Sequence, residues 1–205
     1  MAYAGKYPTD SKDKNYVGAE YFNFALAETE PSARSYFAGL IGKNIVGLGL
    51  KCDVVVGAPM GGILLAGAVG EFLGCRTIFA EKKVIAVADM SIEGSKEVSE
   101  QILNRHEMNP GDNVIVMEDV CNNFSTTQKL KKLIEDRGGK LIGIACAFNR
   151  SGKTEWEGIP VVAAHYIPTK QFRQDDPEIV DLMTEGKIVW NPKNDWDKLQ
   201  KAMEG

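Results

Sequence analysis

The sequence predicts an α/β fold built on a mostly parallel central sheet with helices on both faces. The first observation is that short apolar runs alternate with helical patterns from about residue 50 onward. A repeated order of strand, helix and strand gives a parallel sheet with right-handed crossovers. The second observation is that the strand-like runs are continuously apolar, as in strands covered on both faces. Such sheets bind ligands at the carboxyl ends of their strands, so the segments after each strand are the candidates for a functional site.

The first predicted crossover joins two short strands. Residues 53–56 are a compact β-branched run that ends at Gly57. Residues 61–73 follow with a helical pattern, and Gly74 is a typical stop because glycine adopts the left-handed conformation that closes many helices. Residues 76–80 are the next strand-like run.

The second predicted crossover contains the clearest helix. Residues 113–117 form an apolar strand, and residues 125–137 have one apolar stripe. Ser125 and Gln128 have the spacing of a capping box at the start of this helix. The remaining predictions are strands at 141–148 and 161–166 and a last helix at 194–203.

Two regions break the alternation. Residues 88–111 are polar and charged, and we predict that part of this range is a long loop or a mobile excursion, a type of segment that is often functional in compact domains. The part from Pro168 onward is rich in Asp, Pro and Trp and is predicted to form a terminal cap. A chain of 205 residues suits one domain, or one domain with a small appendage.

Composition excludes some classes of function. The formal net charge is −4, from 24 basic and 28 acidic residues, which argues against a bulk nucleic-acid binder but not against a local basic patch. No segment is apolar enough to span a bilayer, and the first residues contain no apolar signal core. The cysteines are far apart without a CxxC pair, so we expect buried reduced thiols and a cytoplasmic protein rather than a zinc site; they are Cys52, Cys75, Cys121 and Cys146.

The strongest motif follows the third predicted strand, in residues 114–127. The apolar run leads into two adjacent acids, Glu118 and Asp119, and a short polar loop precedes a helix. Backbone N–H groups at a helix N-terminus, together with the hydroxyls of residues 125–127, can cradle a phosphate. Two carboxylates suit the vicinal hydroxyls of a sugar, so the pattern predicts a ribose 5-phosphate site. The alternative is an ordinary strand–helix turn with a serine cap and two solvated acids.

This segment resembles the phosphoribosyl-pyrophosphate (PRPP) signature of the type I phosphoribosyltransferases. The resemblance implies that family's fold, with a small hood beside the sheet, and implies that Glu118 and Asp119 contact the ribose hydroxyls. It assigns the 5-phosphate to a loop of five residues: Asn122, Asn123, Phe124, Ser125 and Thr126. This loop departs from the family because Phe124 stands where a glycine is common, which places a side chain at a crowded position.

A glycine-rich segment at 56–66 again joins a predicted strand to a predicted helix. Gly57, Gly61 and Gly62 allow close approach of the backbone to an anion, although the GK[ST] ending of a P-loop is absent. A tight turn without a ligand is the alternative. The segment resembles the family's pyrophosphate loop, which implies that Met60, Gly61 and Gly62 flank the pyrophosphate. Some orotate enzymes carry a lysine where this chain has Gly61.

A lysine pair, Lys82 and Lys83, follows the second predicted strand. It can supply the positive charge that a pyrophosphate leaving group needs, or it can be an ordinary solvated pair. Its place resembles the basic segment before the family's flexible catalytic loop, which would then occupy residues 84–109. The Lys-x-His pattern of many orotate enzymes is absent there. The basic residues in this range are Lys96, Arg105 and His106.

Two further segments bear on the nucleobase. Arg150 follows the strand at 141–148, and in orotate phosphoribosyltransferases an arginine at this position reads the pyrimidine carboxylate, for which a guanidinium is well suited. Residues 31–39 loosely resemble the segment that forms the orotate hood. Tyr36 and Phe37 could stack on the base there, or could pack in the core.

The resemblance therefore implies Mg²⁺-dependent transfer of a phosphoribosyl group from PRPP to orotate, giving orotidine 5′-phosphate and pyrophosphate in pyrimidine nucleotide biosynthesis. The Mg²⁺ would be held largely by the substrate, without a direct protein ligand. It also implies a homodimer and a single domain over 1–205, with a core at about 46–149 and a hood from about 1–45 and 150–205. A membrane or nucleic-acid partner is not expected. The alternatives are a purine-base phosphoribosyltransferase and a non-catalytic regulator that binds PRPP or a nucleotide.

Overall fold

The computed structural model describes residues 2–6, 15–86, 98–190, 192 and 194–203. The elements in chain order are β1 (Ala2–Lys6), β2 (Asn15–Gly18), α1 (Phe24–Ala27), α2 (Pro31–Gly47), β3 (Val54–Gly57), α3 (Ile63–Leu73), β4 (Arg76–Phe79), β5 (Glu81–Ala86), β6 (Val98–Ile102), β7 (Asn113–Cys121), α4 (Ser125–Asp136), β8 (Lys140–Asn149), β9 (Glu155–Trp156), β10 (Ile159–Tyr166), β11 (Gln171–Phe172), α5 (Pro177–Thr184) and α6 (Trp196–Met203). The chain divides into two compact units, residues 24–168 and residues 1–23 with 169–205.

The larger unit is built on a six-stranded sheet in the order β4-β3-β7-β8-β10-β9. Strand β3 pairs in parallel with both β4 and β7, β7 pairs in parallel with β8, and β8 with β10. Only β9, at one edge, is antiparallel to its neighbour. The predicted α/β class and its mostly parallel sheet are therefore confirmed, because all five predicted strands lie in this sheet.

Alternate residues of the buried strands face two separate cores. In β7, Val114 and Val116 belong to the core under α4, whereas Ile115 and Met117 belong to the core under α2 and α3. Helix α4 contributes Leu130 and Ile134, both fully buried. The sheet is thus covered on both faces, which explains why its strands are continuously apolar in the sequence.

Helix α2 was not predicted, and residues 31–39 were expected to belong to a hood. The helix begins with Pro31 in its first turn, where a missing N–H costs nothing. It packs against β8 and β10 on one side and α3 on another. Because it has more than one packed side, its apolar residues do not form the single stripe from which a helix is recognised in a sequence.

The polar range 88–111, part of which is predicted as a long loop, contains strand β6. Strands β5 and β6 pair antiparallel, with Lys82 opposite Gln101 and Lys83 opposite Glu100. The segment therefore contains the returning strand of a hairpin. Lys96 lies outside the described residues.

The smaller unit contains a three-stranded antiparallel sheet in the order β1-β2-β11, with α5 and α6. Its core consists of four buried apolar residues, Val17, Phe172, Ile179 and Ile188. The predicted last helix at 194–203 corresponds to α6. Among the described residues, no helix is both long enough and apolar enough to cross a membrane.

The four cysteines differ in their surroundings. Cys121 and Cys146 are buried, as expected. Cys52 and Cys75 precede β3 and β4 and are only partly buried, with their Sγ atoms 3.2 Å apart. All four are free thiols.

Candidate active site

The acid pair lies within β7, two residues before its end. Glu118 is opposite Cys146 of β8, and both Glu118 and Asp119 are partly buried. The backbone N–H of Val120 donates to Asp119 Oδ1 at 2.9 Å, which fixes that carboxylate on the strand. The pair therefore stands on the rigid sheet, near the carboxyl end where parallel sheets bind ligands.

The glycine-rich segment packs directly on the acid pair. A Cβ atom added to Gly61 would lie 2.5 Å from Asp119 Oδ2, closer than any real side chain could stand. A Cβ on Gly62 would overlap the carbonyl oxygen of Met117, which already accepts from the Ala58 N–H at 2.9 Å. Glycine is thus required at Gly62 by close approach to the backbone of β7, whereas a side chain at Gly61 would have to displace the Asp119 carboxylate. Met60 is 82% exposed beside them.

The loop between β7 and α4 departs from its predicted cap. Phe124, not Ser125, occupies the N-cap position, and it has no side-chain cap hydrogen bond. Asn123 Oδ1 instead accepts from the Ser125 N–H at 3.1 Å. Ser125 and Asn123 are exposed, and Asn122 and Thr126 are partly buried. Thr127, whose hydroxyl was counted in the phosphate cradle, is 1% exposed and so is not available to a ligand.

Phe124 has a left-handed backbone, with φ of 58°, which agrees with glycine being common at this position. Its ring is buried and stacks on Trp156 of β9, with centroids 5.7 Å apart and an interplanar angle of 20°. The side chain therefore belongs to the core under α4. It links the loop to the edge of the sheet.

Arg150 lies one residue beyond β8, and its N–H donates to the Cys121 carbonyl at 2.8 Å. Its side chain is buried. The preceding Asn149 is fully buried and shapes the turn, because its Oδ1 accepts from the Ser151 N–H and hydroxyl and its Nδ2 donates to the Lys153 carbonyl. The start of this turn is thus fixed to the end of the strand that carries the acid pair.

The two aromatic candidates on α2 have different surroundings. Phe37 is buried and makes edge contacts with Phe24 and Phe148, so it packs in the core. Tyr36 is 54% exposed and stacks on His165 with ring centroids 6.0 Å apart. Sequence reasoning missed His165, because nothing in the local pattern of β10 distinguishes it from a core residue.

The basic candidates lie on or near the two-stranded sheet of β5 and β6, apart from the six-stranded sheet. Lys82 and Lys83 are exposed, and Lys83 Nζ is 3.9 Å from Glu100 Oε1. Arg105 Nε lies 3.4 Å from Oε1 of the partly buried Glu81, in an ion pair. The ring of His106 packs edge-on against Phe79 at 4.6 Å, which is a packing role.

The electrostatics of the acid pair involve a third carboxyl. Burial and the neighbouring Asp119 charge raise the pKa of Glu118 to about 8. Burial, and then the charge of Asp119, also raise the pKa of Glu28, against an opposite effect of Arg34. Sequence reasoning missed Glu28, because it is far from Glu118 in the chain and no motif surrounds it.

The chain is similar to known proteins in its sequence. A family model described as phosphoribosyl transferase domain matches residues 31–171. Orotate phosphoribosyltransferase of Carboxydothermus hydrogenoformans is 25% identical over 173 residues, covering 84% of this chain and 82% of that protein. An enzyme of the same name from Thermus thermophilus is 30% identical over 125 residues, which are 61% of this chain and 62% of that protein.

Solved structures agree at the level of the fold. Adenine phosphoribosyltransferase from Thermoanaerobacter pseudethanolicus superposes with a TM-score of 0.56 and 15% identity, over 80% of this chain and 94% of that one. Orotate phosphoribosyltransferase from Aeropyrum pernix gives 0.54 and 15%, over 72% of this chain and 78% of that one. Since the family model matches more than half of the residues, the chain belongs to the phosphoribosyltransferase family and has its type I fold.

Proposed function

We propose that this phosphoribosyltransferase transfers the phosphoribosyl group of PRPP to orotate, which yields orotidine 5′-phosphate and pyrophosphate. The observation that carries the proposal is the close packing of Gly61 on the Asp119 carboxylate, where a Cβ would lie 2.5 Å from Oδ2. It supports one continuous site in which a backbone loop for pyrophosphate adjoins carboxylates for a ribose. The relatives named orotate phosphoribosyltransferase support the choice of base.

In this proposal the ribose lies over β7 and its hydroxyls donate to Glu118 and Asp119. The 5-phosphate lies in the loop of residues 122–126, at the N-terminus of α4, where Asn123 and Ser125 are exposed. The pyrophosphate lies along residues 60–62, and Lys82 and Lys83 supply positive charge to it. Arg150 is buried, and we assign it the carboxylate of the base because its place after β8 resembles that of the base-reading arginine of orotate enzymes. Tyr36 is the better candidate for stacking on the ring, because it is exposed whereas the ring of Phe37 is packed among core aromatic residues.

The reaction breaks the bond between the ribose C1 and a pyrophosphate oxygen and forms a bond from C1 to a ring nitrogen of the base. Positive charge develops on the ribose, and the acidic side chains held next to it on β7 stabilise that charge through their oxygen dipoles and, where they are ionised, through their charge. The ring nitrogen of orotate is itself the nucleophile, and its N–H proton passes to the displaced pyrophosphate or to water, so no nucleophile from the protein is needed. Positioning and charge neutralisation therefore account for the catalysis.

Mg²⁺ belongs to the proposal as a partner of PRPP. Glu118 and Asp119 fit such an ion chemically, because carboxylate oxygens are the hard donors that Mg²⁺ accepts. Magnesium keeps several oxygen ligands from substrate phosphates and water, so these residues would hold it mainly through the hydroxyls of the sugar. When bound, Mg²⁺ would neutralise part of the negative charge of the pyrophosphate.

The test is turnover of a panel of bases with PRPP and Mg²⁺, in which the release of pyrophosphate is measured. Release with orotate and not with adenine, guanine or hypoxanthine is the expected result. Turnover of a purine alone would replace this proposal with the second candidate, a purine-base enzyme, which the missing Lys-x-His pattern favours. Release of pyrophosphate with none of the bases would contradict both.

Arg150→Ala separates the two candidates further. Loss of a charge-assisted, bidentate contact to a carboxylate should raise the KM for orotate about 10- to 100-fold, with a smaller change in the KM for PRPP. Steady-state kinetics of the wild type and the variant measure both constants. An unchanged KM for the base would favour an uncharged base.

We further propose a homodimer in the cytoplasm that acts in pyrimidine nucleotide biosynthesis, with a hood from about residues 1–45 and 150–205. The dimer is supported by α3, which is apolar nearly all round, because such helices are normally buried. Its Leu64 and Phe72 are 51% and 47% exposed in the single chain, and Val46 of α2 is 62% exposed.

A further inference from the structure

Glu28 is an acidic residue whose carboxyl group has no evident structural use. It follows α1, and its N–H donates to the Phe24 carbonyl at 2.9 Å. Its Oε2 is buried, and within the described ranges of the chain no hydrogen-bond partner reaches that atom. Buried carboxylate oxygens are nearly always paired, because an unpaired one loses the hydration it had in water.

Arg34 fixes the backbone at this position and leaves Oε2 of Glu28 unpaired. Its Nη1 donates to the carbonyl oxygens of Glu28 and of Thr29, the second at 3.1 Å. The guanidinium thus donates its hydrogen bonds to main-chain carbonyl groups. Its positive charge lowers the pKa of Glu28, but by less than burial raises it. The backbone of Glu28 is therefore fixed by hydrogen bonds, and Oε2 of its side chain remains an acceptor without a donor among the described residues.

The surroundings of Glu28 are those of the proposed site. Phe24, whose carbonyl accepts from the Glu28 N–H, makes an edge contact with Phe148 of β8 at 6.2 Å between ring centroids. Phe148 is opposite Val120 of β7, the residue after Asp119, so the end of α1 lies over the end of the strand that carries the acids. The charge of Asp119 accordingly contributes to the raised pKa of Glu28, after burial. Asp119 is also the residue against which Gly61 packs. Two acids close together and partly buried are unfavourable for the empty protein, and a ligand that donates hydrogen bonds to both would relieve this.

We propose that Glu28 is a substrate-contacting residue, whose carboxyl accepts a hydrogen bond from an N–H or O–H donor of the bound substrate beside Asp119. The inference rests on the proposed phosphoribosyl transfer and adds a third acid to its site. The donor is either a ribose hydroxyl of PRPP or a ring N–H of the base. Kinetics with the two substrates distinguish these sources.

The experiment compares Glu28→Gln and Glu28→Ala with the matched control Glu30→Gln. Glu30 is two residues away, is exposed, and makes no side-chain cap hydrogen bond at the start of α2, so its variant reproduces the change of charge alone. Each protein is assayed as the full chain with Mg²⁺, varying PRPP and base separately. Thermal unfolding of each variant without substrate shows whether it is folded.

We expect Glu28→Ala to raise the KM for one substrate about 10- to 100-fold, the loss that follows removal of a hydrogen bond to a charged group. Glu28→Gln keeps an acceptor oxygen and should recover part of that loss, with the control unchanged. A rise confined to PRPP identifies a ribose hydroxyl, and a rise confined to the base identifies a ring N–H. Either supports the inference.

Values of kcat and both KM within twofold of the control for both Glu28 variants would overturn the inference, even if the variants unfold at a lower temperature. A wild type that turns over no base would defeat the proposed function separately. In that case the rise in unfolding temperature caused by PRPP and Mg²⁺, or by each base, decides the inference. Equal rises for the wild type and Glu28→Ala would contradict it, and a smaller rise for the variant would support it.

Discussion

At the scale of the residue, the ionisation of Glu118 makes stability depend on pH. Its pKa is about 8 in the folded chain, against 4.5 for an unperturbed glutamate. Between these values the folded state binds more protons than the unfolded state, so the free energy of unfolding falls as pH rises through this window. The destabilisation is complete above the folded pKa and absent below the unfolded one.

We therefore compare the free energy of unfolding of Glu118→Gln with that of the wild type at pH 5 and at pH 9. The advantage of the variant should be larger at pH 9 by an amount on the order of 2 kcal/mol. Urea unfolding at both pH values measures the difference, and Glu107→Gln, at an exposed position, is the control. The same variant should lose activity above about pH 8, where the wild-type Glu118 is ionised, because it removes a charge that we propose lies next to the ribose. A stability difference that does not change with pH would contradict the assignment.

Gly61 permits a sharper test of the contact between the two motifs. Gly61→Ala places a Cβ 2.5 Å from the carboxylate of Asp119, so that either the loop or the acid must move. A displacement of about 1 Å in such a site costs about 100-fold in kcat/KM. Steady-state kinetics with PRPP as the varied substrate would measure it.

Gly67→Ala is the matched control, because a Cβ at Gly67 in α3 meets nothing within 4 Å. Alanine favours a helix over glycine by about 1 kcal/mol, so this variant should be as active as the wild type and slightly more stable. If both variants kept full activity, the glycine loop would not be part of the site.

At the scale of the element, the start of α4 combines a strained backbone with a well-packed side chain. Phe124 adopts φ of 58°, and a left-handed backbone costs a residue other than glycine about 1–2 kcal/mol. Its stack on Trp156 and its burial offset that cost. The two contributions can be separated by substitution.

Phe124→Ala should destabilise the protein by about 3–5 kcal/mol, because it removes a buried ring and keeps the left-handed backbone. Phe124→Gly removes the same ring but relieves the strain, so it should be more stable than Phe124→Ala by about 1 kcal/mol. Chemical denaturation of the three proteins gives both differences. The reverse order of the two variants would show that the backbone strain is not significant.

The elements that were predicted and those that were missed differ in how local their signals are. Strands β3, β7 and β8 are continuous apolar runs, and α4 has a single apolar stripe, so their neighbours in sequence are sufficient to identify them. Helix α2 packs on more than one side, which conceals its periodicity. The hairpin of β5 and β6 is polar and largely exposed, so no buried face marks its strands.

At the scale of the whole molecule, the proposed dimer gives a direct test of the exposed apolar side chains on α3. Leu64→Glu places a charge where a partner chain would pack, and we expect it to convert the protein to a single chain of 22.4 kDa. Sedimentation equilibrium measures the mass. Val180→Glu, at a 47% exposed position of α5, is the control and should leave the mass unchanged. A wild type that already sediments as one chain would contradict the proposal.

The sequence alone determined the fold class and placed the acid pair and the glycine segment after their strands. Both rest on local periodicity and on residue chemistry, which tertiary contacts did not alter. Only the tertiary structure decided that Gly61 packs on Asp119, that Phe37 is a core residue while Tyr36 is exposed, and that Glu28 lies near the acids. These facts depend on pairs of residues far apart in the chain, whose distances follow from how the helices pack on the sheet.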